Sequence, residues 1–154
     1  MGKKIRLIDV TIRDGHQCLW ATRMTTAMMK DIAPKLDEAG FEAIDLVGGA
    51  VFDVCVRFLR EDPWERMRVL NTWVTKTPLI IHTRGQSLFT FEFFADDVVE
   101  LAAERFAANG MRYHTVYDAL NDTGFTLLSH PTTANTPARG GGGLPLPAAA
   151  AAAH

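Results

Sequence analysis

Apolar and polar positions along the chain form alternating blocks that predict strands and helices in turn. Four short apolar runs predict strands at residues 4–9, 41–49, 78–83 and 111–118. Between them, apolar residues recur every three or four positions, which is typical of helices that bury one face. These helices are predicted at residues 25–40, 61–74 and 95–110.

Each predicted helix carries a recognisable start, stop or break. Pro34 inside the first helix removes a hydrogen bond at a cost of about 3 kcal/mol, so we expect a kink or a later start. Its predicted apolar face is Met28, Ile32, Leu36 and Ala39, followed by the C-terminal glycine Gly40. The second helix begins with Asp62 as cap, Pro63 as first residue and Glu65 at the capping-box position. The third has the predicted apolar face Val99, Ala102, Ala103 and Phe106, and ends at Gly110.

The alternation of strands and helices indicates an α/β fold built from parallel βαβ units. We expect the N-terminal part of a TIM (β/α)₈ barrel, about four βα units, or else an open doubly wound sheet. No GxGxxG or P-loop motif follows the first strand, which argues against a nucleotide-binding sheet. The periodicity stops near Thr123, so residues 1–122 are predicted to be the partial barrel. Residues 123–154 are rich in Gly, Pro and Ala and are predicted to be a disordered tail.

Polar residues cluster where each predicted strand ends. The carboxyl ends of parallel strands build the active sites of barrels and of open α/β sheets, so these clusters are the candidate site. The clusters are Arg13, Asp14, His16 and Gln17; Gly48 and Gly49; Arg84 and Gln86; and Asp118, Asn121 and Asp122.

Composition narrows the class of protein. Sixteen basic residues stand against 18 acidic ones, a net charge of -2, which gives no case for a nucleic-acid partner. No apolar run reaches the roughly 18–20 residues of a membrane span. Cys18 and Cys55 are far apart and form no CxxC motif, which favours a reduced, cytoplasmic protein.

Several long motifs together resemble one family. They are DVTIRDGHQCLWATRM, GGAVFDVCVRFLREDPWERMR, TRGQSL, FADDVVE and YDALND. In this order they resemble the carboxyltransferase domain shared by pyruvate carboxylase, the oxaloacetate decarboxylase alpha subunit and the transcarboxylase carboxyltransferase subunit. The resemblance covers residues 3–122 and corresponds to the N-terminal half of that domain.

This resemblance implies a TIM barrel that moves a carboxyl group between biotin and pyruvate or oxaloacetate, with carboxybiotin held on a separate biotin carrier domain. It also implies a divalent metal, namely zinc, cobalt or manganese. Asp14 is then the metal ligand, Arg13 and Gln17 bind substrate and take part in catalysis, and Arg84 binds pyruvate. These roles are chemically sensible, because guanidinium groups pair with carboxylates and an amide donates to a developing oxyanion.

The chain departs from the family in its metal ligands. The family's metal site also needs a carboxylated lysine and a His-x-His pair from later strands. No His-x-His occurs in this sequence, and no lysine follows Lys76. We therefore expect the chain to be inactive alone and not to retain the metal.

Other residues receive structural interpretations. His16 is predicted to be a structural hydrogen-bonding group, and His82 and His114 to be satisfied residues of the barrel interior. The aromatic run at residues 89–94 is expected in the core and at an interface, and both cysteines are expected to be inert. The Gly48–Gly49 pair is either a tight turn that lets backbone approach or a substrate-facing loop.

Two alternatives to an enzyme stay open. Strand one and strand four of a half-barrel would expose unpaired edges, which favours a homo-oligomer or a complementing half-barrel as partner. The change of composition after Asp122 instead favours a frameshifted fragment without function. In either case Arg13, Asp14, Gln17 and Arg84 are expected to converge at one end of the sheet, with Asp14 in a salt bridge to Arg13 or Arg84.

Overall fold

A computed structural model describes residues 5–117 and the short strand Leu144–Pro145. Its sheet has five strands in chain order: β1 Ile8–Asp9, β2 Ala43–Val47, β3 Leu79–Thr83, β4 Tyr113–Val116 and β5 Leu144–Pro145. Strands β1 to β4 are parallel and β5 runs antiparallel to β4. The predicted parallel α/β architecture is confirmed, and each of the four predicted strands is present in shorter form.

Six α-helices connect and cover the strands in the described part of the chain. They are α1 His16–Trp20, α2 Thr26–Met29, α3 Ala33–Glu38, α4 Gly49–Val54, α5 Pro63–Trp73 and α6 Asp96–Ala108. Two π-helical segments, Thr11–Gly15 and Cys55–Leu59, and the 3₁₀ turn Gly85–Ser87 complete the connections. Among these helices, none is both long and apolar enough to cross a bilayer.

The two faces of the sheet differ, and they separate two histidines that were predicted to lie together. His114 pairs in register with Ile81 and packs its ring 5.4 Å from that of Phe106 in α6, so it lies on the helix-covered face. Its Nε2 is 2.7 Å from the hydroxyl of Thr83. His82 follows Ile81 and points to the opposite face. The prediction that both histidines line the barrel interior is therefore wrong for His114.

Strand β1 is shorter and more exposed than its apolar sequence predicted. It lies at the edge of the sheet, where only β2 pairs with it. Ile5, Leu7 and Ile8 are 84%, 64% and 53% exposed. The prediction of a buried strand at residues 4–9 is wrong here because burial of β1 needs a neighbour on its free edge as well.

Pro34 divides the predicted helix 25–40 into α2 and α3. It lies in the first turn of α3, where its missing N–H breaks no intrahelical bond, so the alternative of a later start is confirmed. The predicted apolar face fails because the 3.6-residue period does not run through the break. Met28 is 58% exposed, whereas Met29 and Ala33 are fully buried. Gly40 has a φ of 79°, as a C-terminal glycine should.

Helices α5 and α6 follow their sequence signals closely. Asp62 caps α5 by accepting a hydrogen bond of 2.9 Å from the amide of Trp64. Glu65 pairs with Arg68 rather than completing a capping box. In α6, Val99, Ala103 and Phe106 are buried and Ala102 packs beside them, as predicted.

The two described tail residues form a strand that covers the second edge of the sheet. Leu144 and Pro145 pair with His114 and Tyr113, so β4 does not present the unpaired edge that was expected. The other tail residues, the boundary after residue 122 and the cluster Asp118, Asn121 and Asp122 lie outside the described residues.

A buried ion pair fastens the first βα connection to α5. The side chain of Arg66 is fully buried and donates to Glu61 at 2.7 Å, to the Thr26 hydroxyl at 2.9 Å and to the Met24 carbonyl at 2.9 Å. Burial alone would raise the pKa of Glu61, but hydrogen bonds from Thr26 and Arg66 outweigh it and hold that pKa below its ordinary value.

Replacing Arg66 by methionine should lower the free energy of unfolding by about 3 kcal/mol, because the Glu61 carboxylate loses its buried partner. Urea denaturation followed by circular dichroism measures this loss. The matched control is Arg68→Met, since Arg68 pairs with Glu65 and Asp62 at the surface and should matter by less than about 1 kcal/mol. Equal effects of the two substitutions would contradict the assignment.

Candidate active site

The first polar cluster lies in helical segments rather than in the loop that its position after β1 suggested. The carbonyl of Val10 accepts hydrogen bonds from the amides of Arg13, Asp14 and Gly15 at 3.3, 2.8 and 3.1 Å. This contraction winds Thr11–Gly15 into a π-helical segment that runs directly into α1. Arg13 therefore projects from a hydrogen-bonded helical backbone.

Arg13 lies against β2 and is largely buried, with its side chain 15% exposed. Its Nη1 is 3.0 Å from Oδ1 of Asp14, which gives the salt bridge expected for that aspartate. Its Nε is 3.7 Å from Oδ2 of Asp45. A Cβ placed on Gly48 would lie only 2.8 Å from Nε of Arg13, so the missing side chain at residue 48 makes room for the guanidinium.

Asp45 is a site residue that the sequence analysis missed. It lies in β2, is 1% exposed, and places Oδ1 2.8 Å from Nδ1 of His82 in β3. The sequence does contain a signal for Asp45: it is the one carboxylate in the apolar strand AIDLV. Because an unpaired buried charge is costly, a carboxylate at such a position indicates a charged or hydrogen-bonding partner.

Arg84 follows β3 and converges on the same turn as Arg13. A Cβ on Gly49 would lie 3.5 Å from Cζ of Arg84, an ordinary contact distance. Since successive Cα atoms are about 3.8 Å apart, the two guanidinium groups lie against neighbouring residues. Gly48 is therefore a close-approach position for Arg13, and Gly49 lies in ordinary contact with Arg84. Gln86 lies elsewhere, donating to Asp96 at the start of α6 at 2.8 Å.

The aromatic run that follows Arg84 divides between core and surface. Phe89 stacks on Phe52 with ring centroids 3.9 Å apart, whereas Phe91 and Phe93 are 90% and 82% exposed. The Arg84 guanidinium lies 4.6 Å from the centroid of the Phe91 ring. The expected core role is thus met by Phe89, and Phe91 lies beside the guanidinium at the surface.

Gln17 lies in α1, directly after the π-helical segment. Its Oε1 is buried and has no hydrogen-bond partner among the described residues. A buried carbonyl oxygen without a partner is costly, so Oε1 suits a group that donates a hydrogen bond to it.

The residues around Asp14 do not fit a divalent metal. Its carboxylate is 45% exposed, pairs with Arg13 and has the Cys18 sulfur 3.9 Å away. Within residues 5–117, no three side chains of His, Cys, Asp or Glu lie close enough together to hold an ion. Structural metal sites use about four ligands, and one carboxylate next to a guanidinium is a poor site for a cation.

Comparison with known proteins identifies one family in this fold. Over 118 residues, 77% of the chain, it is 45% identical to a pyruvate carboxylase subunit of Methanocaldococcus jannaschii. Over 120 residues it is 42% identical to the 2-oxoglutarate carboxylase large subunit of Hydrogenobacter thermophilus and 38% to the methylmalonyl-CoA carboxyltransferase 5S subunit of Propionibacterium freudenreichii. No protein-family model matches the chain.

The solved structures agree with these relatives. The carboxyl transferase domain of Rhizobium etli pyruvate carboxylase, determined with oxamate and biotin, matches 84% of the chain with a TM-score of 0.77 and 34% identity. The chain belongs to the biotin-dependent carboxyltransferase family. It spans only about a fifth of the lengths of these relatives: 21%, 18% and 24% of the three sequences and 22% of the solved chain.

In this carboxyltransferase chain, His16 differs from its predicted role as a hydrogen-bonding group. It is 2% exposed, and neither ring nitrogen has a hydrogen-bond partner among the described residues. Burial lowers the pKa of His16 from 6.5 to about 4, and the positive charges of Arg66 and Arg13 act in the same direction. The ring is therefore neutral at pH 7.

The folded chain should lose stability as the pH falls below 6.5, because the unfolded state takes up a proton at His16 that the folded state resists down to about 4. The expected loss between pH 7 and pH 5 is about 2 kcal/mol. Urea unfolding at both pH values measures it, with His16→Phe as comparison. An equal pH dependence in the two proteins would show that His16 is not the group responsible.

Proposed function

We propose that the turn at Gly48–Gly49 is the 2-oxo acid site of a carboxyltransferase acting on pyruvate or oxaloacetate. The observation that carries the proposal is the approach of two guanidinium groups, Arg13 and Arg84, to neighbouring glycines at the carboxyl end of the sheet. Guanidinium groups bind carboxylates through paired, charge-assisted hydrogen bonds.

The two arginines differ in how their charge is used. Arg13 has Asp14 and Asp45 beside it. Within residues 5–117, Arg84 has no carboxylate partner: its contacts are the Phe91 ring and the Thr90 carbonyl at 3.4 Å. Arg84 is therefore the group that receives an incoming carboxylate, and Arg13 orients the other end of the ligand.

The wider reaction in this proposal is carboxyl transfer between the 2-oxo acid and biotin on a separate carrier domain. The amide of Gln17 would donate to the oxygen on which negative charge develops. Relatives that support it include a pyruvate carboxylase subunit and the Rhizobium etli domain with oxamate and biotin. Assignment to a decarboxylase, and a cytoplasmic location, remain part of the same proposal.

Oxalate, an analogue with two carboxylates, should bind the full chain in the millimolar range, as expected for about 4 kcal/mol of binding free energy. Amide and arginine side-chain NMR signals should shift at Arg13, Gln17 and Arg84. Arg84→Met should abolish these shifts, since it removes the guanidinium without a carboxylate partner.

The matched control is Arg105→Met, which changes an exposed arginine of α6 and should leave oxalate binding intact. Equal loss in both variants would indicate general charge attraction and contradict the site.

Because the described residues supply one of the expected metal ligands, the chain with zinc or manganese should not decarboxylate oxaloacetate. Turnover that Asp14→Ala abolishes would contradict this.

A second candidate function is assembly with another copy or with a complementing half-barrel. The observation that favours it is the exposed apolar edge at β1, where Ile5, Leu7 and Ile8 have no strand beside them on the free side among the described residues. Unpaired edges with exposed apolar side chains tend to pair with another chain.

In light scattering coupled to size exclusion, the chain should elute as a dimer or larger species at micromolar concentration. Leu7→Lys should shift it towards the monomer, because a charge at the edge opposes pairing. A well-folded monomer of the unaltered chain at this concentration would count against assembly.

A further inference from the structure

Asp45 is a buried charge that the fold retains in the middle of an apolar strand. Its neighbours Ile44 and Leu46 are fully buried, and Asp45 itself is 1% exposed. Removing a carboxylate from water is costly unless charged or hydrogen-bonding partners replace the water. The partners of Asp45 therefore indicate what the carboxylate is for.

The two oxygens of Asp45 serve two different elements. Oδ1 lies 2.8 Å from Nδ1 of His82 in β3, and a carboxylate can only accept, so this nitrogen carries the hydrogen. Oδ2 lies 3.7 Å from Nε of Arg13. Both Oδ2 and Nε are buried and have no hydrogen-bond partner among the described residues, so their 3.7 Å ion pair is the contact that compensates these two atoms.

The two carboxylate partners of Arg13 differ in burial: Asp14 is hydrogen-bonded but half-exposed, and Asp45 is buried. Asp14 is 45% exposed and adjacent in sequence, and exposed pairs of this kind contribute little. The guanidinium also fills the space that a Cβ at Gly48 would occupy, so the turn at residue 48 limits its position. The buried carboxylate therefore sets the direction in which Arg13 points.

We propose that Asp45 is a positioning residue, which holds the guanidinium of Arg13 in the anion site with one oxygen and fixes His82 as the Nδ1–H tautomer with the other. The identity of the anion rests on the proposed function, whereas the two contacts do not. Because His82 points to the same face as Asp45, its Nε2 is then an acceptor, and no hydrogen bond to it is seen within residues 5–117.

The test uses the full ¹⁵N-labelled chain, with oxalate as the probe. In the unaltered protein, the Nε–H signal of Arg13 should exchange slowly with water and the ¹⁵N shifts of His82 should show hydrogen on Nδ1. Asp45→Asn removes the charge at constant shape. It should speed exchange at Arg13 and weaken oxalate binding by about tenfold, as expected when a binding group loses its fixed direction.

Two further variants separate the roles of Asp45. Asp45→Leu removes the acceptor and should let His82 populate the Nε2–H tautomer. Gly48→Ala pushes a Cβ against Arg13 without touching Asp45, so it should weaken oxalate binding and leave the His82 tautomer unchanged. If Asp45→Leu leaves the His82 tautomer unchanged, the role of Asp45 towards His82 is overturned. If Gly48→Ala leaves oxalate binding unchanged, the role of Asp45 towards Arg13 is overturned.

The matched control is Asp37→Asn. Asp37 is also buried, but it lies in α3, where its carboxylate accepts hydrogen bonds from the amides of Thr75, Lys76 and Thr77, just before the start of β3. Its substitution should lower stability without changing Arg13, His82 or oxalate affinity. Equal effects of Asp37→Asn and Asp45→Asn would overturn the proposal. If the unaltered chain binds no oxalate, the proposed function fails, and the Arg13 and His82 signals still decide the role of Asp45.

Discussion

The guanidinium of Arg13 occupies space that a side chain at residue 48 would need, and the rest of the site is arranged around that contact. Gly48 leaves room for the guanidinium, and the carboxylate of Asp45 lies 3.7 Å from its Nε. The next residue, Gly49, receives Arg84 from the following strand. One glycine pair thus lies against side chains from the first and third βα units, and this arrangement is the basis of the proposed anion site.

A second polar cluster, centred on Arg66, connects the segment after α1 to α5. Arg66 reaches from α5 to Glu61, Thr26 and Met24, which ties the chain after α1 to the outer helices. His16 is buried near both Arg66 and Arg13, and these charges help to keep its ring neutral. His16 therefore stays neutral between the Arg66–Glu61 pair and Arg13.

Much of the fold follows from local pattern. The order of strands and helices, the cap at Asp62, the late start forced by Pro34 and the apolar face of α6 all match the structure, because each depends on nearby residues. Predictions that failed concern contacts between distant parts. Strand β1 is exposed because burial requires a neighbour on its free edge, and His114 lies under α6 because register, not composition, decides which face a residue takes.

The sequence by itself determined the family, the βα repeat and the placement of Arg13, Asp14, Gln17 and Arg84 at strand ends, since motifs and periodicity are local properties. Tertiary structure alone decided which of these groups meet. Within the described residues, Arg84 has no carboxylate partner, and Asp14 lacks the further ligands that a metal needs. Asp45 is the partner of both Arg13 and His82. A carboxylate 32 positions from the arginine it faces leaves no periodic signal, because sheet register and a glycine turn bring the two together only in the folded chain.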